Sequence, residues 1–171
     1  TTAASVPTVS HTYAYLVSSS TVPITWGASA DSESGLVRYE VALGVSGNRT
    51  SVSGWTTVAS ANLATTLNSL SLVNGTRYYA SVRAVNGSGL VSNVSSFNFI
   101  VDTTAPSVPE VSEVYGYLVS TTTVPVRWGI GSTDSQSGIQ SYQVALGTSA
   151  GATNTVSWTT IGAANLATTL N

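Results

Sequence analysis

Few side chains in this sequence could carry acid–base, nucleophilic or metal chemistry. The single histidine is His11, and there is no cysteine, which excludes thiol catalysis and a disulfide framework. A lone histidine near the start of a strand reads as a surface residue. The sequence contains a second copy of much of itself, and the counterpart of His11 there is Glu113, so the repeat does not preserve it. Serines are abundant, yet no G-x-S-x-G elbow marks one as a nucleophile. The carboxylates are Asp31, Glu33, Glu40, Asp102, Glu110, Glu113 and Asp134. Paired carboxylates can hydrolyse glycosidic bonds. Asp31 and Glu33 are the only near pair, and Gln136 replaces Glu33 in the second copy. The structural reading is that Asp31 and Asp134 accept backbone hydrogen bonds in a turn, as aspartate often does. Asp31, Glu33 and Asp102 are also the candidate calcium ligands, although calcium asks for roughly six to eight oxygens and few acids cluster here. The expectation is no cofactor, no resident metal and no catalysis.

Aromatic residues supply the other candidate chemistry, because flat rings on a sheet can stack against the apolar faces of sugars. Tyr13 and Tyr15 lie two residues apart, as do Tyr115 and Tyr117, a spacing that puts each pair on one face of a strand. Trp55 and Trp158 occupy equivalent positions in the two copies. These six residues are the candidate surface contacts. The alternative is that they cover the sandwich ends or seal the junction between copies, and their repetition suits that packing role. Asn48, Asn74, Asn86 and Asn93 each open an N-x-S/T sequon and are candidate glycosylation sites. Asn74 and Asn86 precede glycine, which reads equally as turn chemistry.

The elements that must position these residues emerge from composition and repetition. The chain has 171 residues, 7% of them charged, with a net charge of −2 and no lysine. That charge argues against nucleic acid, whose binding needs a basic patch, and against attraction to anionic lipid. The hydrophobic fraction is 42%, enough for a core. No apolar run approaches the roughly 18–20 residues of a membrane span, so no membrane insertion is expected. Abundant serine and threonine with few charges suggest an extracellular protein.

The sequence repeats itself. WTTVASANLATTLN at 55–68 returns as WTTIGAANLATTLN at 158–171, an offset of 103 residues. Residues 19–44 match 121–147, and TTAASVPTVS at the start matches TTAPSVPEVS at 103–112. A unit of about 100 residues suits an independent domain rather than a solenoid repeat. The expected division is a complete repeat at 1–102 and the N-terminal part of a second at 103–171, joined at Asp102-Thr-Thr-Ala-Pro106 with little slack. The second copy ends at Asn171, the equivalent of Asn68, and holds no counterpart of residues 69–102. Three explanations stand: a window from a longer array, completion by strands from another chain, or a disordered half domain.

Period-two alternation dominates, and nothing has helical period. In TVPITW, Val22, Ile24 and Trp26 share a face; in RYEVALG, Tyr39, Val41 and Leu43 do. In RYYASVRAVNG the inner set is Tyr78, Ala80, Val82 and Ala84, and VSSFNFIV supplies a last strand. Turn clusters at roughly 10-residue spacing suggest a sandwich or barrel.

With a core tryptophan (Trp26, Trp128), the pattern Leu36, Tyr39, Val41 (then Ile139, Tyr142, Val144), the run Leu72, Gly75, Tyr78, Val82, Ala84, Asn86 and the D..SG turns at Asp31 and Asp134, the chain resembles a fibronectin type III domain of the kind found in bacterial surface proteins. The resemblance implies an all-β fold of tandem antiparallel sandwiches, with Tyr78 as a tyrosine corner. It implies a stalk or filament segment of a cell-surface adhesin or fibre, with neighbouring repeats, copies of itself or surface glycans as partners. The rival expectation is a carbohydrate-binding or spacer module of a secreted polysaccharide-degrading enzyme. Fold alone does not choose between them.

Overall fold

The computed structural model describes residues 1–10, 13–112 and 116–171. His11, Glu113 and Tyr115 therefore lie outside the described residues. Contacts divide the chain into two compact units, Thr1–Thr103 and Thr104–Asn171.

The first unit is a sandwich of two sheets. Its strands are β1 (Val9–Ser10), β2 (Tyr15–Leu16), β3 (Val22–Trp26), β4 (Leu36–Val45), β5 (Asn48–Ala59), β6 (Ala64–Leu67), β7 (Arg77–Asn86) and β8 (Ser95–Val101). One sheet has the order β1-β3-β6 and the other β2-β8-β7-β4-β5. The two inner faces meet in one core. Val22, Ile24 and Trp26 come from one side; Tyr39, Val41, Leu43, Tyr78, Ala80, Val82, Ala84, Phe97, Phe99 and Val101 come from the other. Those of β3, β4 and β7 are the residues that alternation placed inside; Phe97, Phe99 and Val101 are the inward residues of the last strand. Each large apolar side chain removed from water here contributes roughly 1.5–3 kcal/mol before entropy is set against it. The Tyr39 hydroxyl accepts from Ser29 N at 2.7 Å, and the Tyr78 hydroxyl accepts from Val73 N at 3.0 Å, so both buried phenols are satisfied. One pairing departs from the antiparallel expectation. β2 runs parallel to β8, with Leu16 opposite Val101, and places Leu16 in the core.

The second unit holds β9 (Val124–Arg127), β10 (Ser141–Leu146), β11 (Val156–Gly162) and β12 (Ala167–Leu170). Its pairings copy those of the first. Val124 faces Leu170 as Val22 faces Leu67, and Tyr142 faces Ile161 as Tyr39 faces Val58. The register slips between Val144 and Leu146 as it does between Val41 and Leu43. The same residues at the same spacing therefore fix the same register, as expected where one face must be buried.

Two glycine pairs show why the backbone repeats. Gly35 and Gly138 close the aspartate turns at φ 72° and 73°, a conformation that disfavours a Cβ. Gly44 and Gly147 come directly after those register slips. A Cβ on Gly44 would lie 2.1 Å from the Asn48 carbonyl oxygen, and one on Gly147 would lie 2.3 Å from that of Ala152. The returning strand thus crosses too close for any side chain.

Candidate functional site: an arginine and aromatic face

The outer face of the five-stranded sheet concentrates the polar chemistry of the first unit. Arg38 on β4, Arg49 on β5, and Arg77 and Arg83 on β7 are the arginines of that unit. Glu40 sits between two of them. Arg38 donates to Glu40 Oε1 from Nε at 2.9 Å and from Nη2 at 2.8 Å. Arg83 Nε donates to Oε2 at 2.9 Å. Register produces this cluster: β4 and β7 place Glu40 directly opposite Arg83, while Arg38 is two residues away on the same face. Burial raises the Glu40 carboxyl, but the hydrogen bonds and charges of Arg38 and Arg83 outweigh it and hold the group below the usual range. Glu40 is thus an ionised structural anion with both oxygens engaged.

Two guanidinium groups lie over rings on this face. Arg83 stacks 4.0 Å above Trp55, and Arg49 stacks 3.8 Å above Tyr79, both within cation–π reach. Arg77 donates to Asn98 Oδ1. The result is a surface of planar groups braced by neighbours. It can present fixed donors and ring edges to another surface.

The aromatic candidates separate into distinct environments. Tyr13 is half-buried and packs against the core. It precedes β2 rather than lying in a strand, so period-two spacing does not put it on a face with Tyr15. Its ring packs edge-on against Phe97 and Phe99 at 5.7 and 5.6 Å, and its hydroxyl donates to the Pro23 carbonyl at 2.7 Å. Burial pushes its pKa up to about 12. Tyr15 is exposed, and Tyr117 is almost fully so. Trp55 is half-buried under Arg83, whereas Trp158, its counterpart, is 60% exposed.

The turn reading of the aspartates describes their geometry. Asp31 Oδ1 accepts from the backbone N–H groups of Glu33, Ser34 and Gly35 at 3.2, 2.7 and 3.1 Å. Asp134 Oδ1 accepts from Gln136, Ser137 and Gly138 at 2.9, 2.8 and 3.2 Å. Glu33 Oε2 accepts from Thr2 N at 2.6 Å, and Asp102 is buried. Among the described residues no group of three or more His, Cys, Asp or Glu side chains is placed to hold a metal ion, so Asp31, Glu33 and Asp102 do not form a calcium cluster.

The sequons differ sharply. Asn86 is 2% exposed, and its Nδ2 donates to the Thr2 carbonyl at 2.7 Å and to Asp31 Oδ2 at 3.0 Å. The folded unit has no room for a glycan on that nitrogen. Asn48, Asn74 and Asn93 are exposed.

In the second unit Trp158 lines an open groove of about 240 Å³ with Trp128, Tyr142 and Val144. Trp128 and Tyr142 pack at 5.4 Å, the same distance as Trp26 and Tyr39.

Among solved structures, the chain is similar to the chicken CNTN1 FN1-FN3 domains, with a TM-score of 0.52 and 17% identity over 97% of this chain and 55% of that one. The fold is fibronectin type III-like. A central fibronectin-III array of RIM-binding protein also aligns, with a TM-score of 0.40 and 13% identity over 99% of this chain and 56% of that one. The chain thus spans about half the length of the fibronectin type III arrays it matches. No protein-family profile matches the chain. No curated protein matches it either. No helix is long and apolar enough to cross a membrane among the described residues.

Proposed function

We propose that this chain is a structural, non-catalytic segment of an extracellular or cell-surface repeat protein of bacterial type. It acts as a stalk or filament element that holds an adhesive part away from the cell or associates with copies of itself. One observation carries the reading: what the two copies share is scaffold. Val22 and Val124, Asp31 and Asp134, Tyr39 and Tyr142, and Gly44 and Gly147 recur at packing and turn positions. The charged cluster does not recur, since Ser141 and Gln143 stand where Arg38 and Glu40 stood. A catalytic repeat would keep its reactive groups. Low charge also lets neighbouring rods approach with little repulsion, and the absence of lysine removes a usual guard on exposed strand edges.

The test is a polypeptide of several complete repeats studied by small-angle scattering and sedimentation. Length should grow linearly with repeat number, and association should depend on concentration but little on salt. Monomeric, non-adherent behaviour would remove the self-association and adhesion parts of the proposal. A second reading, a carbohydrate-binding module, is favoured by the exposed Trp158 ring. Retention on insoluble polysaccharide that Trp158→Ala abolishes would establish that reading instead.

A further inference from the structure

The chain has five cationic side chains. Four of them, Arg38, Arg49, Arg77 and Arg83, share the outer face of the five-stranded sheet in the first unit. Glu40 neutralises one pair, with ion pairs to Arg38 at 2.8 Å and to Arg83 at 2.7 Å. Arg49 and Arg77 remain. Among the described residues neither forms an ion pair with a carboxylate. Their protein partners are neutral: Arg49 Nη1 reaches Ser96 Oγ only at 3.5 Å, and Arg77 donates to Asn98 Oδ1. A guanidinium carries five N–H donors, so most of both forks is unspent. The two cations flank one ring. Arg49 stacks on Tyr79, and Arg77 stands two residues from Tyr79 on β7, roughly 7 Å along the strand. Such a pair is conspicuous on a chain of net charge −2.

The sandwich does not need these arginines. The second copy repeats the β4–β5 register with Ser141 and Ala152 at the positions of Arg38 and Arg49. Ser81 is a separate sign. It lies on the same face, between Ala42 and Ser96 across the sheet and between the Tyr79 and Arg83 stacks along β7. It is fully buried, and its hydroxyl has no hydrogen-bond partner. Orphaned buried hydroxyls are uncommon in folded proteins.

We infer that this face, centred on Arg49, Tyr79 and Arg77, binds an acidic polysaccharide, a linear chain whose sugars carry carboxylate or sulfate groups. Guanidinium forks take such anions through paired N–H bonds. Stacking on Tyr79 fixes the plane of Arg49 and leaves its N–H edge for the ligand. Ser96 and Asn98, both exposed, supply the hydroxyl and amide groups that match sugar hydroxyls. An oxygen entering between the two stacks as Arg49 turns toward it satisfies Ser81. A protein partner fits less well. Protein interfaces centre on apolar and aromatic anchors, and here guanidinium groups cover both rings, Trp55 and Tyr79. Two free cations are also too few for nucleic acid. The inference goes beyond the stalk reading and does not depend on it, because a stalk needs none of these arginines.

The experiment titrates the full 171-residue chain with polygalacturonate, dextran sulfate and neutral dextran, followed by calorimetry and amide NMR. At least one acidic polymer should bind, neutral dextran should not, and shifts should centre on Arg49, Tyr79 and Asn98. Which polymer binds decides between carboxylate and sulfate. Arg49→Gln and Arg77→Gln should each weaken binding about tenfold, as expected for a hydrogen bond between charged groups. Arg49→Lys should recover only part of the loss, since it keeps the charge and not the fork. Arg127→Gln, which removes the same charge from the second unit, should leave binding unchanged. Should Arg49→Gln unfold, Arg77→Gln at its exposed position still decides. No binding of either acidic polymer, equal binding of poly-glutamate, or equal losses in the Arg49, Arg77 and Arg127 variants would overturn the inference. Growth of length with repeat number, the test of the stalk, does not involve these side chains, so the two proposals fail separately.

Discussion

Asp31 Oδ2 accepts a hydrogen bond from Asn86 Nδ2 at 3.0 Å, joining the turn before β4 to the last residue of β7. Asn86 extends the tie, since its Oδ1 also accepts from Ser88 N and Leu90 N at 3.1 and 2.9 Å. One buried carboxamide thus organises the loop after β7 and anchors the aspartate turn. The Asn86 hydrogen bond and then the Ser34 amide bring the Asp31 carboxyl down to about 2.

This relationship sets a pH dependence. An unfolded aspartate titrates near about 3.9. Because the folded value lies below that, the ionised turn stabilises the unit above about pH 4, and the contribution is lost as pH falls through about 2. Asp31→Asn should be less stable than wild type at pH 7, with the gap narrowing below about pH 4. Urea midpoints across that range test this, and a pH-independent gap would contradict it. Glu40, also lowered, remains in both proteins and cancels from the difference.

The close crossing at Gly44 predicts a large effect from a small change. Gly44→Ala places a methyl 2.1 Å from a backbone oxygen, where no side-chain rotation can relieve it. The first unit should lose about 3 kcal/mol, at the upper end of overpacking costs. Gly54→Ala, whose Cβ would meet open space, serves as the control. Equal urea midpoints for the two variants would refute the argument.

Tyr78→Phe removes the acceptor for Val73 N and keeps the ring in the core. The expected loss is about 1 kcal/mol, the usual net worth of such a hydrogen bond. Faster amide exchange at Val73 should accompany it. A loss without a change at Val73 would place the effect elsewhere.

Arg83→Met tests the outer face. It removes one partner of Glu40 and uncovers the Trp55 ring. The unit should lose about 2 kcal/mol, typical of a hydrogen bond to a charged group. The red-edge emission of Trp55 should rise in a background lacking Trp158. Unchanged emission would show that the stacking does not persist in solution.

Residue order alone determined the all-β class, the inner residues of β3, β4 and β7, the existence of β8, and the aspartate turns. Each rests on short-range rules: alternate side chains of a strand point to opposite faces, and an aspartate can accept from amides two to four residues ahead. The two copies also exposed the repeat directly. Tertiary structure decided the rest. Tyr13 and Tyr15 share a spacing but not a face, because Tyr13 lies outside the strand and drops onto Phe97 and Phe99. The parallel β2–β8 pairing joins segments far apart in sequence. The Arg38–Glu40–Arg83 cluster required the register of β4 against β7, which no local pattern contains. Asn86 matched a sequon, yet its amide is consumed by Thr2 and Asp31 across the fold. Trp55 and Trp158 have the same sequence surroundings and opposite fates, one beneath an arginine and the other bare. For Trp55 the deciding neighbour is β7, which supplies Arg83. Local sequence sets which way a side chain points, whereas what it meets there depends on which distant strand lies alongside.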